Sequence, residues 1–246
     1  MSTHNTARTY TMREYQDNPP PAQPPMFVVG VDLGQSTDYT AIAVIERVTT
    51  LTLLDNGDVK QEVNFHLRHL ERPPLGTKYT DIATSVVALL DQPPLTRDTP
   101  LIVDKTGVGT GVLDMFTERG VQPEAVTITG GDTVTHDTHH YKVPKRELVW
   151  NLVALNETRR LKFSEGLDLV PALINELVNF KVKIDLKTAH DSYEAWRESI
   201  HDDMVLAVAL ACWYAEVELP KHGPPDPEVV EMLRGLATGD YQPWKG

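Results

Sequence analysis

The apolar residues of this chain change period several times, and each change marks an element. Phe27 to Asp32 is a short apolar run closed by an acid and bounded by Gly34. Tyr39 to Arg47 is a second such run, and Val59 to Leu70 alternates apolar and polar as a half-exposed strand does. Tight connections join these three runs and predict an antiparallel meander. Ile82, Val86, Leu89 and Leu90 recur at helical spacing, which predicts a helix over Thr80–Leu90. Leu101–Asp104 reads as a buried strand, followed by the loop Gly107-Val108-Gly109-Thr110-Gly111 and a helix from Val112 to Arg119. Ala125–Thr129 is a further strand. Helices are expected over Pro144–Arg159, Leu169–Asn179 and Asp202–Glu216, with Pro144 in the first turn of its helix. Three strands, helix, strand, helix, strand and then helices describe an α/β fold. The first strand is central in a mixed sheet, the later strands lie parallel to it, and helices cover both faces.

The ends of the chain differ from this core. Residues 1–25 are polar and finish in Pro19-Pro20-Pro21-Ala22-Gln23-Pro24-Pro25, the composition of a disordered, proline-stiffened segment. The folded domain is expected over 26–219. A polar tail over 220–246 carries Gly223-Pro224-Pro225 and room for one short helix, Pro227–Leu236. Hydrophobic residues make up 41% of the 246, enough for one sizeable core. The single cysteine, Cys212, excludes an intramolecular disulfide, lies in an apolar helical run and suits a reducing compartment. The first twenty residues are polar, so no secretory signal is expected. The longest apolar stretch, Met204–Tyr214, is far below the roughly 20 residues that span a bilayer, so no membrane partner is expected.

The net charge of -12 argues against a nucleic-acid binder when taken over the whole chain. Its distribution changes the picture. From His136 to Lys187 there are nine Lys/Arg against seven Asp/Glu, whereas the remainder holds 14 against 28. One segment can therefore meet phosphate. A carboxylate-rich site also loses negative charge once it holds a divalent cation.

Three acidic motifs carry the candidate chemistry. In Val29-Gly30-Val31-Asp32-Leu33-Gly34 a carboxylate closes an apolar strand, where mixed sheets place their ligands. Such an acid also occurs as a turn cap, and actin-like ATP-binding proteins open with a similar turn. Leu101-Ile102-Val103-Asp104 repeats the pattern ahead of its glycine loop. No Gly-x-x-x-x-Gly-Lys-Ser/Thr run exists in the chain, so that loop is not a nucleotide P-loop. His201-Asp202-Asp203 heads a helix that is apolar nearly all round. Asp202 suits the N-cap, but a cap explains one acid better than two, and the buried helix would carry Asp203 inward. Two strand-end acids and one helix-head acid can converge as two-metal phosphodiester cleavage requires, with carboxylates holding two hard cations about 4 Å apart.

The runs Val29-Gly30-Val31-Asp32-Leu33-Gly34-Gln35-Ser36, Asp38-Tyr39-Thr40-Ala41, Val103-Asp104 with Thr106-Gly107-Val108-Gly109, Val143-Pro144-Lys145-Arg146-Glu147-Leu148-Val149 and His201-Asp202-Asp203-Met204-Val205-Leu206-Ala207 resemble, in order and spacing, the nuclease domain of tailed-phage terminase large subunits. The resemblance runs from Met26 to Glu216. It implies an RNase H-like endonuclease that cleaves double-stranded DNA during genome packaging, with two Mg2+ or Mn2+ ions. Asp32, Asp104 and Asp203 would be its catalytic acids and metal ligands, with Asp202 and Asp38 as further metal contacts. A packaging ATPase, the small terminase subunit or the portal would be its partners, in the cytoplasm of the infected host. The chain departs from a full large subunit in having no Walker motif, which leaves an excised domain or a separately encoded nuclease. A junction resolvase or hybrid nuclease of the same fold, or an actin-like ATP-binding protein, are the alternatives.

Lys142, Lys145 and Arg146 surround the start of a helix. With the free N–H groups there they form either a phosphate contact or a solvated helix end. His136, His139 and His140 lack a zinc spacing and read as surface-loop residues.

Overall fold

A computed structural model describes residues 26–34, 38–54, 56, 58–109, 111–187, 202–219 and 227–238. Residues 1–25, and 220–226 with 239–246 of the expected polar tail, lie outside the described residues, as do His201 and Gln35 to Thr37. By its internal contacts the chain divides into two units. The larger comprises Met26–Arg47 and Phe65–Leu219; among the described residues, Val48–Asn64 and Pro227–Thr238 belong to the other.

The strands are β1 (Met26–Asp32), β2 (Ala41–Leu53), β3 (Val59–Glu71), β4 (Leu101–Asp104), β5 (Glu124–Thr129), β6 (Thr135–Asp137), β7 (His140–Pro144) and β8 (Leu161–Phe163). The helices are α1 (Tyr79–Leu90), α2 (Gly111–Thr117), α3 (Lys145–Glu157), α4 (Val170–Lys187), α5 (Asp203–Val217) and α6 (Pro227–Thr238). One eight-stranded sheet runs in the order β6-β7-β5-β4-β1-β2-β3-β8. β1 pairs antiparallel with β2 and parallel with β4, and β4 and β5 continue parallel. This is a mixed sheet of antiparallel and parallel strands flanked by helices.

The faces of β1 follow from its period of two. Val29, Val31 and Leu33 enter a core with Ile82, Val86 and Leu90 of α1, and with Val112, Leu113 and Phe116 of α2. Gly30 faces the other way, against Ala207 and Ala211 of α5. Val28 to Asp32 is buried without a break because helices lie on both sides, so no alternation survives in the sequence. In the smaller unit, Leu51 and Leu233 are buried together with Val59, Val229 and Met232 packed on them. Among the described residues no helix is long and apolar enough to cross a membrane.

Three strands were absent from the sequence expectation. β6 and β7 form an antiparallel hairpin where the His136–His140 region reads as loop. The histidines are exposed as expected, but the loop assignment is corrected: Tyr141 and Val143 alternate inward from β7 while His140 and Lys142 stay exposed. β8 has three residues and pairs parallel with β3 through Phe65–Leu67, too short a run to show a period. Pro144 ends β7 and precedes α3, rather than standing in the helix's first turn.

Candidate active site

Asp32 and Asp104 are register partners at the ends of the parallel pair β1 and β4. Each stands two residues from one facing α5, on the same face of its strand. Gly30 precedes Asp32 by two, and Leu101 and Val103, the neighbours of Ile102, belong to the opposite core. Both carboxylates thus emerge on the α5 side of the sheet. Asp203 is the first residue of α5, and the helix below it is buried from Met204 to Trp213. Gly30 makes that docking possible, because its missing Cβ leaves room for the Ala207 backbone carbonyl. Sheet and helix together bring three acids to one place, each less than a tenth exposed.

The electrostatics follow from that placement. Burial, then the negative charges of Asp104, Asp203 and Asp202, push the Asp32 carboxyl well above its ordinary value; Lys145 opposes the shift. Burial raises Asp104 as well, although hydrogen bonds from Thr106 and the charge of Lys145 pull it back. The Thr106 backbone N–H donates to Asp104 Oδ1 at 2.7 Å, and the Thr106 hydroxyl accepts from the Ile128 N–H at 2.8 Å, which fixes the loop after β4 to β5. Asp202 stands at the N-cap position of α5 but makes no side-chain cap bond. Its carboxylate instead accepts from Lys145 Nζ at 2.9 Å.

Two residues of the site lie outside the sequence motifs. Arg72, just beyond β3, pairs closely with Glu176 of α4, and its Nη2 stands 3.8 Å from Asp203 Oδ2. The guanidinium also lies over the Tyr39 ring, 5.2 Å from its centre. Burial raises the Glu176 carboxyl, and Arg72 draws it back. The available signal was an acid on an apolar helix face: Glu176 is buried one turn after the buried Leu173.

Other expected residues are spread more widely. Asp38 is exposed, lines a cleft with Gly34, Thr40, Thr77 and Lys78, and is not among the charges that act on Asp32. Lys142 is exposed on β7. Arg146 is exposed and bonds the Asp132 backbone carbonyl at 3.1 Å and its carboxylate at 2.5 Å. Of the three cations named from the sequence, Lys145 alone is turned into the acid cluster. His139 pairs with Glu124 at 2.9 Å, His140 with Lys105 at 2.8 Å, and His136 stacks on Tyr141 at 4.2 Å.

Among the described residues no three carboxylate, imidazole or thiol groups stand close enough together, as they are oriented, to hold a metal ion. Asp202 instead holds Lys145 and Asp104 accepts from Thr106, while Arg72 stands 3.8 Å from Asp203. The donor set nevertheless fits a hard divalent cation. It is all oxygen, buried and mutually repelling, and a positive ion would relieve the repulsion that raises Asp32.

No family model matches the sequence, and no curated protein matches it. Among solved structures the chain is similar to the large terminase nuclease from thermophilic phage G20c. The identity is 18% over 78% of this chain and 83% of that one, with a TM-score of 0.48. The same nuclease with bound magnesium matches at 20% identity, 78% and 83% coverage and a TM-score of 0.48. With bound zinc it matches at 20%, 78% and 82% coverage, and 0.45. These values describe a likeness of chain path and leave the site to be argued from its own residues.

Proposed function

We propose that this chain is a divalent-metal-dependent endonuclease that hydrolyses the phosphodiester bonds of duplex DNA, working as the nuclease of a phage packaging terminase in the cytoplasm of the infected host. One observation carries the reading: Asp32 and Asp104 lie side by side at parallel strand ends, facing the helix that Asp203 heads, and all three are buried. Buried like charges are costly to keep, and a site that retains them is best explained by a cation it is built to receive.

Asp32, Asp104 and Asp203 would hold two Mg2+ or Mn2+ ions, with Asp202 at the margin and Asp38 as an outer contact. The ions would supply activation of a water nucleophile and stabilisation of the leaving oxygen. The chain's own residues do the rest. The β1–β4 pairing fixes two of the carboxylates, α5 aims the third, and Thr106 orients Asp104. Lys142 and Arg146 would meet phosphate on the exposed side, and Lys145 would balance the acids from within. A packaging ATPase, small terminase subunit or portal would bring the DNA.

The test is nicking of supercoiled plasmid. Cleavage should require added Mg2+ or Mn2+, stop in excess EDTA, and be absent in Asp104→Asn. Undiminished nicking in EDTA overturns the reading. Junction and RNA–DNA hybrid substrates run alongside identify the substrate: faster cleavage of either would assign the fold to a resolvase or hybrid nuclease.

A further inference from the structure

We propose that Glu176 is a positioning residue for this site: it draws the Arg72 guanidinium toward itself, so that Arg72 competes less strongly with a divalent cation for the Asp203 carboxylate. The proposal rests on the metal-nuclease reading above. Arg72 stands between two buried carboxylates, Glu176 and Asp203, which are 8% and 6% exposed. It is in close contact with Glu176 and only at 3.8 Å from Asp203. The Tyr39 ring beneath it supports that placement. A guanidinium never loses its charge, so an arginine beside a cation ligand is a standing competitor for that ligand. The competitor is restrained by the acid of α4.

Replacing the Glu176 carboxylate by an amide removes the restraint and leaves the guanidinium facing the Asp203 carboxylate. Closing from 3.8 Å to about 2.9 Å at an effective dielectric near 20 favours the Arg72–Asp203 pair by about tenfold, and an incoming cation must overcome that. If Glu176 instead merely tied α4 to the end of β3, its loss would lower stability without changing the cation response. Removing Arg72 as well would then repair nothing. Double substitution separates the two roles.

The experiment is a Mn2+ titration of the full chain followed by melting temperature, on wild type, Glu176→Gln, Arg72→Gln and the double variant, with circular dichroism to confirm folding. Glu176→Gln should need about tenfold more Mn2+ for half its stabilisation. The double variant should return to the wild-type midpoint or below it, whatever its absolute melting temperature. An unchanged midpoint in Glu176→Gln, or a double variant as weak as Glu176→Gln, overturns the proposal. If Glu176→Gln does not fold, Arg72→Gln decides: a midpoint no higher than wild type supports the proposal, and a higher one overturns it. A wild type that does not respond to Mn2+ overturns the metal reading and this proposal with it. A wild-type response with no change in Glu176→Gln overturns the proposal alone.

Discussion

Gly30→Ala is the sharpest perturbation that the geometry of this site allows. A Cβ built at Gly30 would lie 2.2 Å from the Ala207 carbonyl oxygen and 3.0 Å from the Ala211 Cβ. An ordinary C···O approach is about 3.3 Å, so α5 and β1 must separate by about 1 Å. The obstructing atom is backbone of a buried helix, which cannot rotate aside. Alanine would gain about 0.5–1 kcal/mol over glycine in an unobstructed strand. Overpacking of this kind costs about 1–3 kcal/mol and wins. Less the alanine gain, up to about 2.5 kcal/mol remains, which for a domain of this size lowers the melting temperature by up to about 10 °C. The consequence for the site is larger than the loss of stability. Asp32 lies two residues from Gly30, and Asp203 one turn from Ala207, so the separation widens the gap between two of the proposed ligands. A misplacement of about 1 Å can cost about 100-fold in rate. The assay is plasmid nicking in Mg2+ beside thermal melting, with Gly131→Ala as control, since a Cβ there meets only Thr129 Oγ1 at an ordinary 3.7 Å. If Gly30→Ala melts and cleaves like wild type, α5 does not dock on β1 as described and the three acids are not held by that contact.

Asp32→Asn should abolish cleavage yet raise the melting temperature in chelator. Its carboxyl is raised in the folded state by burial first and by Asp104, Asp203 and Asp202 after, so ionisation costs stability. Without metal the wild type should therefore lose stability as pH climbs from about 4, the unfolded value, through the raised folded value. The variant should lack that part of the pH dependence, and melting curves across pH in EDTA would show parallel profiles if the reasoning fails. Binding to duplex DNA in Ca2+ should be strongly salt-dependent, and Lys142→Ala and Arg146→Ala should each lower the log–log slope by about 0.9 if each meets one phosphate. An unchanged slope in both variants would place the DNA path elsewhere.

The acids were legible in the sequence because strand-end and helix-head positions are local. A carboxylate closing an apolar run, or opening an apolar helix, announces itself within ten residues, and Asp32, Asp104 and Asp203 do so. The β1, β4 and α1 boundaries were legible for the same reason: their apolar periods are unbroken. β6, β7 and β8 were not, because strands this short gain their stability from their neighbours rather than from their own pattern. Register is likewise tertiary. Nothing in either motif says that Asp32 pairs with Asp104, or that both face α5; the parallel pairing and the missing Cβ of Gly30 decide it. Charge partners are the furthest from local information. Lys145 reads at a helix start as either a phosphate contact or a solvated end, and neither reading names the partner its ammonium takes, Asp202, 57 positions away. Arg72 and Glu176 carry no motif at all and meet across 104 positions. A local pattern reports which residues will be buried, since burial follows from the period of one element. Which charges meet there depends on how separate elements pack, and no single stretch of sequence contains that.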